Sequence, residues 1–263
     1  MTPKTKTRPS RKKIRGSLTV SSAYAKTWSN PSGAVLTPVV ENMIWAAERT
    51  FTWNTIDVGG KMGVVKLGNG DLWIHSPVDL DEDTKSAIDA IGKVKHIVSP
   101  NYEHVKWAAQ WKEAYPEAIL YGCPGMMNKY PKMPWDREIN EDGDDQFGDE
   151  FSVLSFAELE KNPVTQTPFF NEVLFVHKPS GVLLVTDIFW NYPASVPTKT
   201  KLWKFGMDWV YKPFYEQAMI VDNGKFSEKV DELLALRWDK ILPCHGTFID
   251  TNSKSIMKEF LTM

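Results

Sequence analysis

The segment VLLVTD at residues 182–187 constrains this chain more than any other. Four apolar residues in succession, with no polar alternation, describe a strand buried on both faces. Such a strand has to lie inside a layered fold, with material packed on each side of its sheet. It forms the second arm of a hairpin, in which residues 173–177 and 182–186 flank the turn-forming Lys178-Pro179-Ser180-Gly181. Asp187 then stands at the carboxyl end of the buried strand, as a site group or as the cap of a following helix.

An earlier hairpin has the same character. Residues 60–67 and 72–74 flank Gly68-Asn69-Gly70, a turn that favours positive φ, and the second strand ends at His75-Ser76-Pro77. Asp81-Glu82-Asp83-Thr84 opens a helix with acids at its positive end, and Gly92 stops it. The next stretch predicts a strand over 94–98, a loop over 99–104, a helix over 105–114 and a strand over 118–121. A strand-helix-strand unit of this kind points to parallel pairing within an α/β fold, whose sites form at the carboxyl ends of the strands. A helix over 226–236, with Ser227 as its expected cap, leads into a strand over 240–242 and then Pro243-Cys244-His245-Gly246. That turn can present an imidazole to a cleft.

The acidic run at 138–150 lacks the glycine and glutamate spacing of a calcium loop and reads as solvated. Residues 189–215 carry nine aromatics interleaved with lysines. They either cover a pocket, present a partner surface, or form two aromatic-faced helices on the core.

Charge divides the chain unevenly. Eight of its 31 bases lie in residues 1–40, where there is no acid, leaving 23 bases against 33 acids in residues 41–263 and a net of −10 there. An acidic body is not a nucleic-acid partner. The basic, acid-free segment reads as an organelle transit segment, a disordered tail or, through Arg8-Pro-Ser-Arg-Lys-Lys-Ile-Arg15, a nuclear signal. Small residues at Ala23-Tyr24-Ala25 suit processing, and without an apolar stretch before them a secretory signal is not expected. The reading is thus a tail over 1–40 and one domain over 41–263. No apolar run reaches the roughly 18 residues of a membrane span. Two cysteines, Cys123 and Cys244, make no disulfide framework.

Four groups fall at expected strand ends: Glu103, His104, Asp187 and His245, with His75 as a further candidate. Imidazole with carboxylate is a mixed donor set that suits one zinc, iron or manganese ion. The bland alternative is ordinary loop hydrogen bonding. Cys244 beside His245 is read as a packed thiol, since neighbours on an extended turn point apart, and His96 and His177 are read as structural.

In order and spacing these elements resemble the metallo-β-lactamase fold, in which two αβ halves sandwich their sheets between helices. Its metal loop, His-x-His-x-Asp-His, falls on Ser99-Pro100-Asn101-Tyr102-Glu103-His104, so Ser99 and Asn101 replace the first two histidines. No histidine is available near Thr167-Pro168-Phe169, where that fold carries a third. Glu103, His104, Asp187 and His245 match its second metal site in chemical kind. More closely, DLWIHSPVDL, HIVSPNYEHVKW, YPEAILYGCPG, EVLFVHKPSGVLLVTDIFWN and ILPCHGTFI resemble a domain-of-unknown-function family of lactamase-like proteins from bacteria, including cyanobacteria, and plastid-bearing eukaryotes. The resemblance spans residues 41–250 and implies an αββα fold with a degenerate metal motif and, for the N-terminal segment, a plastid or other organelle address, with the cytoplasm as the alternative.

Two functions follow as expectations. The first is a non-catalytic descendant of the fold that binds a small molecule or a protein. The alternative is a mononuclear metal-dependent hydrolase that uses the residual ligands, with Glu103 as fourth ligand or as general base. Four protein ligands on a tetrahedral ion would leave no open position, so catalysis requires a fifth position or Glu103 as general base instead of ligand.

Overall fold

The computed structural model describes residues 23–140 and 146–262. Strands β1 (Thr37–Val40) and β2 (Ile44–Arg49), a small hairpin of β3 (Thr52–Trp53) and β4 (Ile56–Asp57), and strands β5 (Gly60–Lys66) and β6 (Leu72–His75) form the first part. They are followed by α1 (Glu82–Ile91), β7 (Val94–Ser99), α2 (Ala108–Ala114), β8 (Ile119–Gly122), α3 (Met126–Lys129) and β9 (Arg137–Glu138). The second half holds β10 (Phe151–Ser155), β11 (Val173–His177), β12 (Val182–Val185), α4 (Thr198–Gly206), α5 (Lys212–Phe214), α6 (Asn223–Ala235), β13 (Lys240–Pro243) and α7 (Ser253–Leu261).

Among the described residues, one sheet runs β1-β2-β5-β6-β7-β8-β9 and a second runs β10-β11-β12-β13. β6, β7 and β8 pair in parallel, as the strand-helix-strand pattern predicts, and β12 pairs in parallel with β13. Alternation along each strand assigns its side chains to different layers. Trp73, Val98, Tyr121, Phe175, Leu184 and Leu242 fill the space between the sheets. Leu72, Ile74, Ile97 and Leu120 face the other way, onto Ile88 of α1 and Trp111 of α2. Leu174, Val176, Leu183, Val185 and Ile241 face Phe226 and Val230 of α6 and Met257 of α7. The result is helix, sheet, sheet, helix, and the apolar run of β12 is explained: Leu183 and Val185 pack on helices while Val182 and Leu184 pack between the sheets.

Several local expectations need correction. Asp81 is the cap of α1, accepting from Thr84 N at 2.8 Å, with Glu82 and Asp83 in the first turn as expected. The cap of α6 is Asp222, which accepts from Gly224 N and Lys225 N at 3.0 Å, so the helix starts earlier than Ser227. The helix after the 99–104 loop begins at Ala108, because turns occupy the residues before it. Asp187 caps no helix, since α4 starts only at Thr198. The aromatic stretch is not two helices packed on the core. After an extended passage it becomes one helical rod, residues 198–219, in which α4 and α5 alternate with wide π turns at Met207–Tyr211 and Tyr215–Met219.

Packing also reaches ahead of residue 41, which falls in the turn between β1 and β2. The Tyr24 hydroxyl donates to Asp81 at 2.5 Å, the Arg49 guanidinium stands 4.1 Å over the Tyr24 ring, and Ala34 and Val35 are buried. The basic run at 8–15 lies outside the described residues, as does 141–145 of the acidic run. No helix of the described residues is long and apolar enough to cross a membrane.

Phe175 is fully buried between the sheets, with its ring centroid 4.9 Å from that of Trp73 and 5.7 Å from that of Phe147. Phe175→Ala is expected to lower the unfolding free energy by about 3–5 kcal/mol, read from urea denaturation followed by circular dichroism.

Candidate metal centre

Four strands deliver polar residues to one end of the sandwich. Ser76 follows β6, Asn101 and His104 follow β7, Asp187 follows β12 and His245 follows β13. Each sits just past the carboxyl end of a strand that has a parallel neighbour, where backbone groups stop pairing and loops diverge.

His104, Asp187 and His245 converge there, with one ligand atom of each within 4.8 Å of the others. His104 Nε2 lies 3.2 Å from Asp187 Oδ2, and His245 Nε2 lies 3.3 Å from Asp187 Oδ1. The two rings are 5.5 Å apart between centroids. His245 Nδ1 donates to the Gly59 carbonyl at 2.8 Å, which orients the ring so that Nε2 faces the cluster. His104 is held in the same way from its far side, with Nδ1 2.5 Å from Ser76 Oγ. Ser76 adopts φ +54°, an uncommon conformation for a residue with a side chain, at the turn that aims its hydroxyl.

A buried carboxylate supports the cluster from behind. Glu172, 1% exposed, accepts from Thr186 N at 2.6 Å, Asp187 N at 2.8 Å and Ile188 N at 2.9 Å. Asn101 connects this arrangement to the other sheet. Its Nδ2 donates to Asp187 Oδ2 at 2.6 Å and to Thr186 Oγ1 at 2.9 Å, while its Oδ1 accepts from Glu103 N at 3.0 Å and His104 N at 2.9 Å. The turn carrying His245 depends on Gly246, which has φ +100°. A Cβ there would fall 2.0 Å from the Asn191 carbonyl oxygen, so only glycine lets the two segments meet.

Charge is balanced locally. Burial would lift the Asp187 carboxyl, but the neighbouring His104 charge and hydrogen bonds from both imidazoles hold it well below the ordinary carboxylate range. Burial likewise works against a charged His104, and Asp187 overcomes it, keeping that imidazole protonated well above its usual range. Burial and the Asp187 charge both push the Glu172 carboxyl up.

The sequence candidates divide accordingly. His104, Asp187 and His245 come together, whereas Glu103 is not part of the group. The two N–H bonds to Asn101 Oδ1 wind the chain into a turn, where adjacent side chains diverge, and the Glu103 carboxylate is exposed along the cavity wall. His75 lies behind the site, fully buried and stacked on Trp73 at 5.6 Å, and burial pushes its imidazole down to about 3. Cys244 is a buried thiol 4.0 Å from His75 Nδ1, and neither it nor Cys123 is bridged. Glu172 had no sequence signal beyond its place directly before an apolar strand, Ser76 had none beyond its turn, and Asn101 was marked only as the replacement of a metal-loop histidine.

The cluster opens into a cavity of about 450 Å³. Its walls are aromatic, including Phe51, Trp107, Phe170, Trp190, Tyr192 and Tyr211, with Lys61, Glu103 and Lys106 as charged members. Two imidazoles and one carboxylate facing such a space fit a divalent cation: the donors are of the right kind, the rings are oriented, and three ligands leave coordination positions toward the cavity.

Comparison with known proteins agrees with this architecture. The sequence profile of a family described as a domain of unknown function, DUF4336, matches residues 41–213. No curated protein matches the chain. Among solved structures it is similar to DIM-1 metallo-β-lactamase (14% identity, TM-score 0.55, 86% of this chain and 95% of that one). It is also similar to a metallo-β-lactamase from Hirschia baltica (9% identity, TM-score 0.55, 86% and 95%). A third is FIM-1 from Pseudomonas aeruginosa in a mono-zinc form (9% identity, TM-score 0.55, 86% and 93%). At such identities the likeness establishes the metallo-β-lactamase fold and nothing finer.

Both Glu172 oxygens accept from backbone N–H groups, so an amide in its place sets a donor against donors. Glu172→Gln is expected to cost about 1–3 kcal/mol of stability, measured by chemical denaturation, although it is isosteric.

Proposed function

The chain belongs to the DUF4336 family, and on that premise we propose that it is a mononuclear metal-dependent hydrolase in which His104, Asp187 and His245 hold one zinc, iron or manganese ion. The observation that carries this reading is the convergence of three N/O donors, each held by a hydrogen bond from behind, on an aromatic cavity large enough for a small organic molecule. When bound, such a cation supplies Lewis acidity toward a substrate oxygen and acidifies water.

The chain's own residues have separate tasks. His245 and His104 present Nε2, with the Gly59 carbonyl and Ser76 fixing the two rings. Asp187 brings the negative charge that offsets a cation. The aromatic walls exclude bulk water and hold an apolar portion of the substrate by contact. In this reading Glu103, which is exposed and lines the same cavity, serves as the general base.

One observation favours the second reading, a binding protein without turnover. Asp187 already has two imidazoles and the Asn101 amide around it, so the cluster is balanced without any ion.

Equilibrium dialysis of the whole protein against zinc, iron(II) and manganese(II), followed by elemental analysis, tests the proposal. About one ion per chain is expected for the parent, falling to about a tenth or less in Asp187→Ala and His245→Ala, because removal of one of three ligands leaves too few to hold it. Failure of the parent to take up any of the three sinks the hydrolase reading. A bound ion without cleavage of ester, amide or phosphoester probes selects the binding reading.

A further inference from the structure

We propose that the rod over residues 198–219 is a docking element for an anionic lipid bilayer, with its outer face seated in the membrane interface. The two faces of this rod differ sharply. Trp203, Met207 and Tyr211 follow one another at intervals of four and line the cavity. On the outer side, Leu202, Phe205 and Trp209 recur at three and four residues, and Val210 and Phe214 extend the patch. Leu202 is 73% and Trp209 71% exposed, and Phe205 and Trp209 pack against each other with ring centroids 6.3 Å apart. Five exposed apolar side chains are thus gathered along one helical segment, unlike the isolated ones that surfaces tolerate without consequence.

Charge identifies the occupant. The rod carries four lysines against two acids, on a body whose net charge from residue 41 onward is −10. Both acids are already engaged, Asp208 by Lys204 and Glu216 by Lys212, one turn apart. Lys199 and Lys201 stay exposed at the start of the rod, next to Leu202. Trp, Phe and Leu on one face with lysines beside them is the composition of a helix that lies in an interface, its apolar side among acyl chains and its ammonium groups at anionic headgroups. A second copy of this chain is a poor occupant. Two such stripes packed face to face would bring the lysines of both rods together, with no unengaged carboxylate on either rod to meet them. No helix of the described residues is long and apolar enough to cross a membrane, and the association proposed is a peripheral one.

The test is flotation of the full chain with vesicles of phosphatidylglycerol and phosphatidylcholine, and separately with phosphatidylcholine alone. The parent is expected to float with the anionic vesicles and to be released by salt. The bound fraction is expected to fall at least about tenfold in Leu202→Ser/Trp209→Ser and, separately, in Lys199→Glu/Lys201→Glu. All four side chains are exposed, so circular dichroism of both variants should match the parent. Equal flotation of parent and variants would show that the basic N-terminal residues carry the binding, and it overturns the proposal. Absence of flotation at low ionic strength overturns it as well. If the parent instead forms a dimer that Trp209→Ser disperses, the stripe is a protein interface and the lipid assignment is wrong.

Discussion

Everything at the functional end of this molecule rests on one buried carboxylate. Glu172 is sealed from solvent directly before β11, and its two oxygens take the backbone N–H groups of Thr186, Asp187 and Ile188. These are the residues where β12 leaves the sheet and its N–H groups lose their strand partners. A buried, unpaired N–H is costly, so the loop has a strong reason to stay where Glu172 holds it. Asn101 extends the same constraint across the sandwich, gripping the loop after β12 with its amide nitrogen and the turn after β7 with its oxygen. The position of Asp187 relative to His104 is thus set by polar groups that never face the cavity.

Around that clamp the apolar layers supply rigidity. β12 is buried on both faces, packed by α6 and α7 on one side and by Trp73 and Phe175 on the other, and it carries Asp187 at its end. β13 lies parallel to it and carries His245. The cavity lies over these strand ends, partly closed by a rod that turns its aromatic residues inward at Trp203 and Tyr211 and outward at Phe205 and Trp209.

How much of this could be read in the sequence depended on whether the signal was local. An unbroken apolar run ending in Asp187, and a proline- and glycine-bounded turn around His245, are local features, and both residues stand where that pattern implies. His104 was placed by the short loop after a strand, and the layered α/β fold by the order of hairpins and helices. Glu103 was harder. Only the capture of two N–H groups by Asn101 Oδ1 decides which of two adjacent residues turns toward the cluster. Glu172 was invisible because a glutamate ahead of a strand is ordinarily solvated, and its partners lie 14 to 16 residues further along the chain. β1 escaped notice because it is four residues long and contains Pro38, a residue that weakens any strand signal. Asp222 outdid Ser227 as a cap because Asn223-Gly224 begins the helix before its apolar face does.

The origins of the three converging side chains carry a further consequence. His104 hangs from the seven-stranded sheet, whereas Asp187 and His245 hang from the four-stranded one. An ion held by all three, as proposed, would be bonded to both halves of the sandwich at once and would act as a rivet between them. Separating the halves means ejecting the occupant, so its affinity adds to the global stability by mass action. The gain is about 2.7 kcal/mol at a free concentration one hundred times its dissociation constant. On that proposal, resistance of the whole chain to heat would be coupled to whether this one small site is filled.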